Sequence, residues 1–469
     1  MRMLPVLLMV AAAVAQQFGT QASGVGDQGT PATTPAKADD QAKSAEQAAP
    51  AKADEKAASP APSTEEWFTG SFEVGYRWVT DVRGSFPTYR SIVNLGDGPK
   101  LIGLDFTITD PKHRLFDRLD ARANGWGGDP YNTAHLDVGK RGLYTLSADY
   151  RNIAYFNAIP SFANPFAQAG FNEQAFDTRR RSGYVNLQVF PGKHIMPYLS
   201  YERNSGYGHG VTTFVQDAND EFAVPTLLRD STNSYRGGVR VEFNTFHVTL
   251  EQGGTTYKND DQSNANGLST GDRTTPILGS TEVLKTLQQS YGVRGTSVYS
   301  KVLATANLFP WITLYGQFLW SEPKTDTRYF DVATGNFALL SSLLLYPGQF
   351  NLVSSNANAP HVLGNAGMEI RPFRRLRVIS SYTTNRYHDA GFGLLTEQIL
   401  LTPSSGPAIL QALNTRQVVN DSREQVEAIY DVTSKVAVRG GYRYEWGEAT
   451  VRGGQLDPAG KGESSDGMS

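Results

Sequence analysis

Hydrophobic and polar side chains alternate along most of the chain from Trp67 onward. In the segment GSFEVGYRWVT, Phe72, Val74, Tyr76 and Trp78 occupy every second position, with small or charged residues between them. Because a β-strand turns successive side chains to opposite faces, this pattern predicts a strand with one apolar and one charged face. The same alternation recurs in segments separated by Pro, Gly, Asn and Asp, which predicts a series of antiparallel hairpins.

Two kinds of connection separate the predicted strands. Short turns, such as those at residues 140–142 and 244–245, alternate with long connections rich in Gly, Asn, Asp, Ser and Thr. The long connections are predicted over Phe156–Ser182, Gly206–Asn233, Lys258–Gln288, Glu322–His361 and His388–Asp421. Short turns on one side and long loops on the other are typical of outer-membrane barrels. We therefore predict an all-β fold, a transmembrane antiparallel up-and-down β-barrel over residues 67–448; the alternative is a secreted β-sandwich or solenoid.

The N-terminal residues predict export. Arg2 precedes a short apolar run, and Ala13-Val14-Ala15 is a small-x-small cleavage site, so residues 1–15 are predicted to be a signal peptide. Residues 16–66 are rich in Ala, Pro, Lys, Asp and Glu, and we predict a disordered periplasmic arm. At the other end, residues 449–469 are polar and Gly-rich, and we predict a loop or a truncated end.

Composition removes several classes of function. The 469 residues include no cysteine, which excludes disulfides, zinc–thiolate sites and a haem attached to this chain through Cys-x-x-Cys-His. The formal net charge of −3 gives no reason to expect a nucleic-acid partner. The sequence contains no run of about 18 apolar residues, so a membrane would be crossed by strands rather than by helices.

No catalytic or metal-binding pattern stands out. The seven histidines are scattered without metal-ligand spacing, and no nucleophile-elbow motif is present. The segment GWGGD at residues 125–129 lacks the Lys-Ser/Thr of a phosphate-binding loop. We therefore expect a protein that is not an enzyme, with no catalytic, cofactor-binding or metal-binding residues and no cofactor of its own.

The charged faces of the strands are the candidate functional surface. Both signs of charge occur there, so these side chains either pair across neighbouring strands as a solvated wall or contact something held in the lumen. The candidate lumen-lining residues are Glu73, Arg77, Asp105, Arg118, Asp120, Arg122, Asp149, Arg151, Arg236, Arg240, Glu242, Arg439, Arg443 and Glu445.

One region resembles a known family. The residues concerned are Gly127-Gly128-Asp129-Pro130-Tyr131, the run His135–Tyr144, the run Ser147–Arg151, and Tyr155-Phe156 followed by Phe162-Ala163-Asn164-Pro165. This stretch resembles the N-terminal part of the MtrB/PioB family of outer-membrane barrels, where a G-D-P-Y loop precedes a K-x-G-x-Y strand. Over the remaining chain the similarity is one of architecture. Some members carry a Cys-x-x-Cys near the mature N-terminus, and this chain has none.

The resemblance implies a role and a location. It implies an outer-membrane sheath around a periplasmic multihaem c-type cytochrome, through which electrons cross the outer membrane of a Gram-negative cell. The alternative is a water-filled porin for passive uptake of small solutes. The expected partners are outer-membrane lipid and the multihaem cytochrome in the lumen.

The number of predicted strands raises the question of completeness. We count about 15 strands, whereas bacterial single-chain barrels normally have an even number. This predicts a C-terminally incomplete chain whose remaining strands are missing, in agreement with the larger barrel implied by the resemblance. The alternative is a miscounted strand within one of the long connections.

Overall fold

A computed structural model describes residues 67–93, 96–161, 172–175, 177–216, 220–273, 275–401 and 405–456. The predicted signal peptide and arm, and residues 457–469, lie outside the described residues. The strands are β1 Phe68–Arg77, β2 Gly98–Thr109, β3 Arg118–Trp126, β4 Tyr131–Lys140, β5 Tyr144–Tyr155, β6 Ala158–Ser161, β7 Asn172–Ala175, β8 Thr178–Val189, β9 Ile195–Val215, β10 Glu221–Glu242, β11 Phe246–Thr270, β12 Val283–Phe309, β13 Ile312–Leu339, β14 Leu344–Asn358, β15 His361–Phe373, β16 Leu376–Leu400, β17 Ile409–Thr433 and β18 Val436–Leu456. An α-helix, α1 Phe86–Val93, follows β1, and a 3-10 turn spans Leu340–Ser342. No helix in the described part of the chain is long and apolar enough to cross a membrane.

The strands form one large antiparallel sheet in chain order. Only β6 and β7 stand apart, as a two-stranded hairpin between β5 and β8. β14 pairs with the upper part of β13 and β15 with its lower part, so the sixteen strands of this sheet fill fifteen positions. The predicted all-β, up-and-down antiparallel fold class is confirmed. Within the described residues, β1 and β18 each leave one edge unpaired.

Short turns connect the strands at one end of the sheet. The predicted reversal after Lys140 is present, with Gly142 at a φ of 70° that favours glycine. The predicted turn at 244–245 joins β10 to β11, and the next ones lie at 310–311, 374–375 and 434–435. We call this the turn end, and the opposite end the outer end, because outer-membrane barrels keep their short turns in the periplasm.

The five long connections predicted from the sequence are largely wrong. Four of them consist largely of continuations of strands: β9 to β13 run for 21, 22, 25, 27 and 28 residues, and β16 and β17 for 25 residues each. Only 9–11 residues are needed to cross a bilayer at the usual tilt. The strands therefore continue as a sheet well beyond the membrane, and the polar residues taken for loops form its outer part. The first predicted connection, Phe156–Ser182, contains the β6–β7 hairpin and the start of β8.

The apolar face of the sheet carries a band bracketed by aromatic rings. At the turn end, Phe243 stacks near Phe246 with ring centroids 4.8 Å apart, and Phe309 stacks on Trp311 at 5.7 Å. Nine residues further along β13 lies Trp320, after which the same face turns polar with Glu322. Aliphatic side chains between two aromatic girdles are typical of strands that cross an outer membrane. This pattern agrees with the predicted localisation in the outer membrane.

The outer ends of β9–β14 pack against one another over a dry cluster. This outer cluster consists of Phe214, Phe222, Val224, Leu284, Leu287, Ala333, Phe337 and Tyr346. The rings of Phe222 on β10 and Phe337 on β13 have centroids 6.5 Å apart, although two strands separate them in the sheet. Three strand spacings in a flat sheet would be about 14 Å. The sheet is therefore strongly curled here, with its inner face packed against itself.

Candidate functional site: the charged inner face

The candidate residues of β2 and β3 form two ion pairs on the face away from the apolar band, one within β3 and one between the two strands. Arg118 donates from Nε and Nη2 to the two carboxylate oxygens of Asp120, at 2.6 and 2.8 Å. Arg122 lies 3.3 Å from Asp105, its partner in the strand register. Ion pairs with exposed arginines stabilise a sheet only modestly, so these two pairs neutralise the charge of the wall more than they stabilise it.

A histidine links two carboxylates on β4 and β5. Nδ1 of His135 lies 2.7 Å from Asp149, and Nε2 lies 2.7 Å from Asp137. Only Asp149 was a candidate from the sequence. His135 and Asp137 alternate with Ala134, Leu136 and Val138, and this alternation was the signal that would have placed them on the same face.

The last two strands carry another ion-paired group. Arg439 contacts Glu427 through two nitrogens, and Glu427 is 7% exposed. Glu445 lies 2.5 Å from Arg443 and 3.7 Å from Arg423. Glu427 and Arg423 were not among the candidates, because identifying them requires the register between β17 and β18.

Six candidates take no part in these groups: Arg236 and Arg240, which are described below, and four others. Glu73 lies opposite Gly103, Arg77 opposite Gly98, Glu242 opposite His247, and Arg151 opposite Thr133 and Ser182. Across the described residues, none of these four forms an ion pair within 4.0 Å. The inner face is therefore a wall of local ion-paired groups rather than one converging site.

On β9–β12, two tyrosines hold a glutamate of the inner wall through hydrogen bonds. Tyr198 and Tyr299, from β9 and β12, both donate to Glu251 on β11, at 2.6 and 3.0 Å. Each ring lies over a glycine: a Cβ on Gly238 would be 2.6 Å from the Tyr198 hydroxyl, and one on Gly253 would be 2.3 Å from the Tyr299 ring. The two glycines make room for the tyrosines, which hold the carboxylate between them.

Arg236 and Arg240 border the same tyrosines. Arg236 donates to the Ser200 hydroxyl at 3.1 Å and to the Tyr184 hydroxyl at 3.4 Å. The Arg240 guanidinium lies 5.3 Å from the centroid of the Tyr198 ring. Both candidates therefore lie on the inner face, beside polar and aromatic side chains rather than beside carboxylates.

The arrangement of the inner face suits polar contact rather than covalent chemistry. In the part of the chain that the structure describes, no group of three or more His, Asp or Glu side chains could hold a metal ion. Both ring nitrogens of His135 are engaged by carboxylates, so this histidine has no free nitrogen to act as a ligand or a base. The wall can hydrate ions and offer hydrogen bonds to whatever occupies the lumen.

Comparison with known proteins gives only distant structural likeness. No protein-family model matches the chain, and no curated protein matches it. The ferric yersiniabactin uptake receptor FyuA from Yersinia pestis is similar with 10% identity and a TM-score of 0.32, over 76% of this chain and 70% of the receptor. The ferric preacinetobactin receptor BauA from Acinetobacter baumannii is similar with 8% identity and a TM-score of 0.29, over 74% and 77%. Likeness at this level carries no argument about what this chain binds.

Proposed function

We propose that this outer-membrane barrel is a sheath that holds a periplasmic multihaem c-type cytochrome in its lumen, so that electrons cross the outer membrane. The MtrB/PioB resemblance of residues 125–165 is the origin of this proposal. A sheath separates the haem chain from lipid, and this role needs no haem ligand from the barrel.

The inner face is the observation that carries the proposal. Near the turn end it is polar, and its charges are mostly matched by their own neighbours, as in the Arg118–Asp120 and Arg439–Glu427 pairs. At the outer end of β9–β14 the same face closes over the outer cluster. A free solute would meet this dry packing, whereas a protein seated in the polar part of the lumen needs no open path through it.

A porin for small solutes remains the second candidate. Arg236 and Arg240 lie on the inner face with no carboxylate within 4.0 Å in the described structure, and such cations attract small anions into a channel. This candidate requires a continuous water path past the outer cluster.

Native purification separates the two functions. The tagged chain would be purified from outer membranes of its own host in mild detergent, and the gel would be stained for covalently bound haem. An unrelated outer-membrane barrel with the same tag, purified identically, is the control. We expect a haem-stained protein with this chain and none with the control.

The opposite result would be equally clear. If no haem protein accompanies the chain, and the purified barrel gives steady single-channel conductance in a planar bilayer, the sheath proposal fails and the porin is favoured. Under the sheath proposal, the purified complex conducts little, because the partner fills the lumen.

A further inference from the structure

A small polar recess lies on the inner face of β8–β11. Its volume is about 170 Å³, and its lining includes Tyr184, Tyr198, Arg236, Arg240 and Glu251. These residues come from four consecutive strands, and the register between β9, β10 and β11 is unbroken across them. The recess is therefore set by the backbone of the sheet rather than by a loop.

The two arginines of the recess differ in their partners from the candidate arginines that form ion pairs. Arg118, Arg122, Arg439 and Arg443 each contact a carboxylate at hydrogen-bond or ion-pair distance. In the described structure Arg236 instead donates to two hydroxyls, and Arg240 lies over an aromatic ring. A guanidinium has five N–H donors. Both arginines therefore retain donors that no carboxylate among the described residues uses.

The only carboxylate in the recess is already engaged. Glu251 accepts hydrogen bonds from Tyr198 at one oxygen and from Tyr299 at the other. Its position between two tyrosines keeps it from closing on either arginine, and no ion pair joins it to them in the described residues. With two guanidinium groups and one carboxylate, the recess has an excess of positive charge.

Aromatic contact also fixes the orientation of the arginines. The Arg240 guanidinium lies 5.3 Å from the Tyr198 ring, and that of Arg236 lies 6.0 Å from the Tyr184 ring. A ring beneath a guanidinium restrains its long side chain, which lowers the entropy lost when an anion binds. Planar guanidinium groups match carboxylate and phosphate oxygens through paired N–H donors.

We propose that this recess binds an oxyanion, a carboxylate or phosphate group presented in the lumen, through Arg236 and Arg240. The site does not depend on the sheath function, because the anion can belong to a free solute or to the surface of a protein in the lumen. Glu251, Tyr198 and Tyr299 hold the wall around it and position the arginines.

Titration calorimetry on the detergent-solubilised full chain tests the site. The probes are inorganic phosphate and citrate for a free anion, and a short glutamate-rich peptide for a protein-borne carboxylate. In R236Q/R240Q we expect the affinity for the binding probe to fall about tenfold or more, since two charge-assisted contacts are lost. The matched control is R118Q/D120N, which removes an inner-face arginine together with its carboxylate and should bind as the unaltered chain does.

The outcomes show whether the anion is a free solute or part of a protein, and whether the site exists. Binding of phosphate or citrate that R236Q/R240Q abolishes supports a solute site, and binding of the peptide alone with the same loss supports a contact for a lumen protein. Unchanged mobility on unheated gels, where a folded barrel migrates compactly, establishes that the variants fold. No saturable binding of any probe, or equal binding by both variants, overturns the proposal.

Discussion

Two glycines allow tyrosine rings to pack closely against the inner wall. On β10 and β11, Gly238 and Gly253 lie beneath the rings of Tyr198 and Tyr299, and their lack of a side chain lets the two hydroxyls reach Glu251. Alternation along the sequence predicts which residues face inward, because the period of a strand is two. It does not predict which partners meet, because a cluster drawn from β9, β11 and β12 depends on register between strands.

Replacing Gly253 with alanine tests this packing. The added Cβ would lie 2.3 Å from the Tyr299 ring, so the ring must move and its hydrogen bond to Glu251 weakens. We expect the free energy of unfolding to fall by about 1–3 kcal/mol, as for other overpacked sites. The measurement is urea unfolding of the lipid-reconstituted chain followed by tryptophan fluorescence.

A second glycine provides the control for that substitution. A Cβ on Gly440, also within a strand, would meet nothing within 4 Å. The G440A variant should therefore unfold as the unaltered chain does, or slightly later. Equal stability of G253A and G440A would show that the tyrosine does not depend on the glycine beneath it.

At the scale of elements, the extended strands are the feature that the sequence did not reveal. Segments such as 206–233 contain many Gly, Asn, Ser and Thr residues, which are common in loops. Residues 206–215 and 221–233 are strands here because each supplies the other with hydrogen-bond partners and the outer cluster packs on their inner face. Strand propensity depends on such tertiary context, which one sequence does not display.

The outer cluster should stabilise these outer ends. Phe222 is fully buried in it, and truncation to alanine would leave a cavity that costs about 3–5 kcal/mol. We expect F222A to open the outer ends of β9–β14 to amide hydrogen exchange, with little change near the turn end. Phe392, an outer-end ring that is 42% exposed, gives the control F392A, which should leave exchange unchanged. Uniform exchange changes along the strands of F222A would contradict a local role.

The same region should respond to pH through Asp220. Burial, together with a hydrogen bond to Asp272, raises the pKa of Asp220 to about 6, from an ordinary value of 3.8. A folded pKa above the unfolded one means that the stabilisation is fully present below about pH 3.8 and is lost as the pH rises through about 6. We therefore expect larger protection factors, which correct exchange rates for the intrinsic pH dependence of amide exchange, at the outer ends at pH 5 than at pH 7.

Two variants check the assignment of that pH dependence. D220N should remove the difference in protection factor between pH 5 and pH 7, since the amide does not titrate. Asp110, in the turn between β2 and β3, has a pKa lowered by backbone hydrogen bonds from Arg114 and Lys112. The stability it contributes is lost only as the pH falls towards its folded pKa, so D110N should act equally at pH 5 and pH 7. A pH difference that persists in D220N would assign it to another group.

For the molecule as a whole, the central claim is that the apolar face contacts hydrocarbon and the charged face encloses water. Alternation alone predicted the parts of the strands nearest the turn end and their antiparallel order. The ion-paired groups and the dry outer cluster arise only when fifteen strand positions are brought together.

Thiol accessibility in native outer membranes tests that claim most directly. The chain has no cysteine, so each introduced thiol is unique. Gln317 and Phe318 are neighbours on β13, as are Thr249 and Leu250 on β11, and each pair spans the two faces of the sheet between the aromatic girdles. We predict that a charged, water-soluble thiol reagent labels Q317C and T249C, whereas F318C and L250C react only with a reagent dissolved in the lipid. Equal labelling of both members of each pair by the charged reagent would contradict the account.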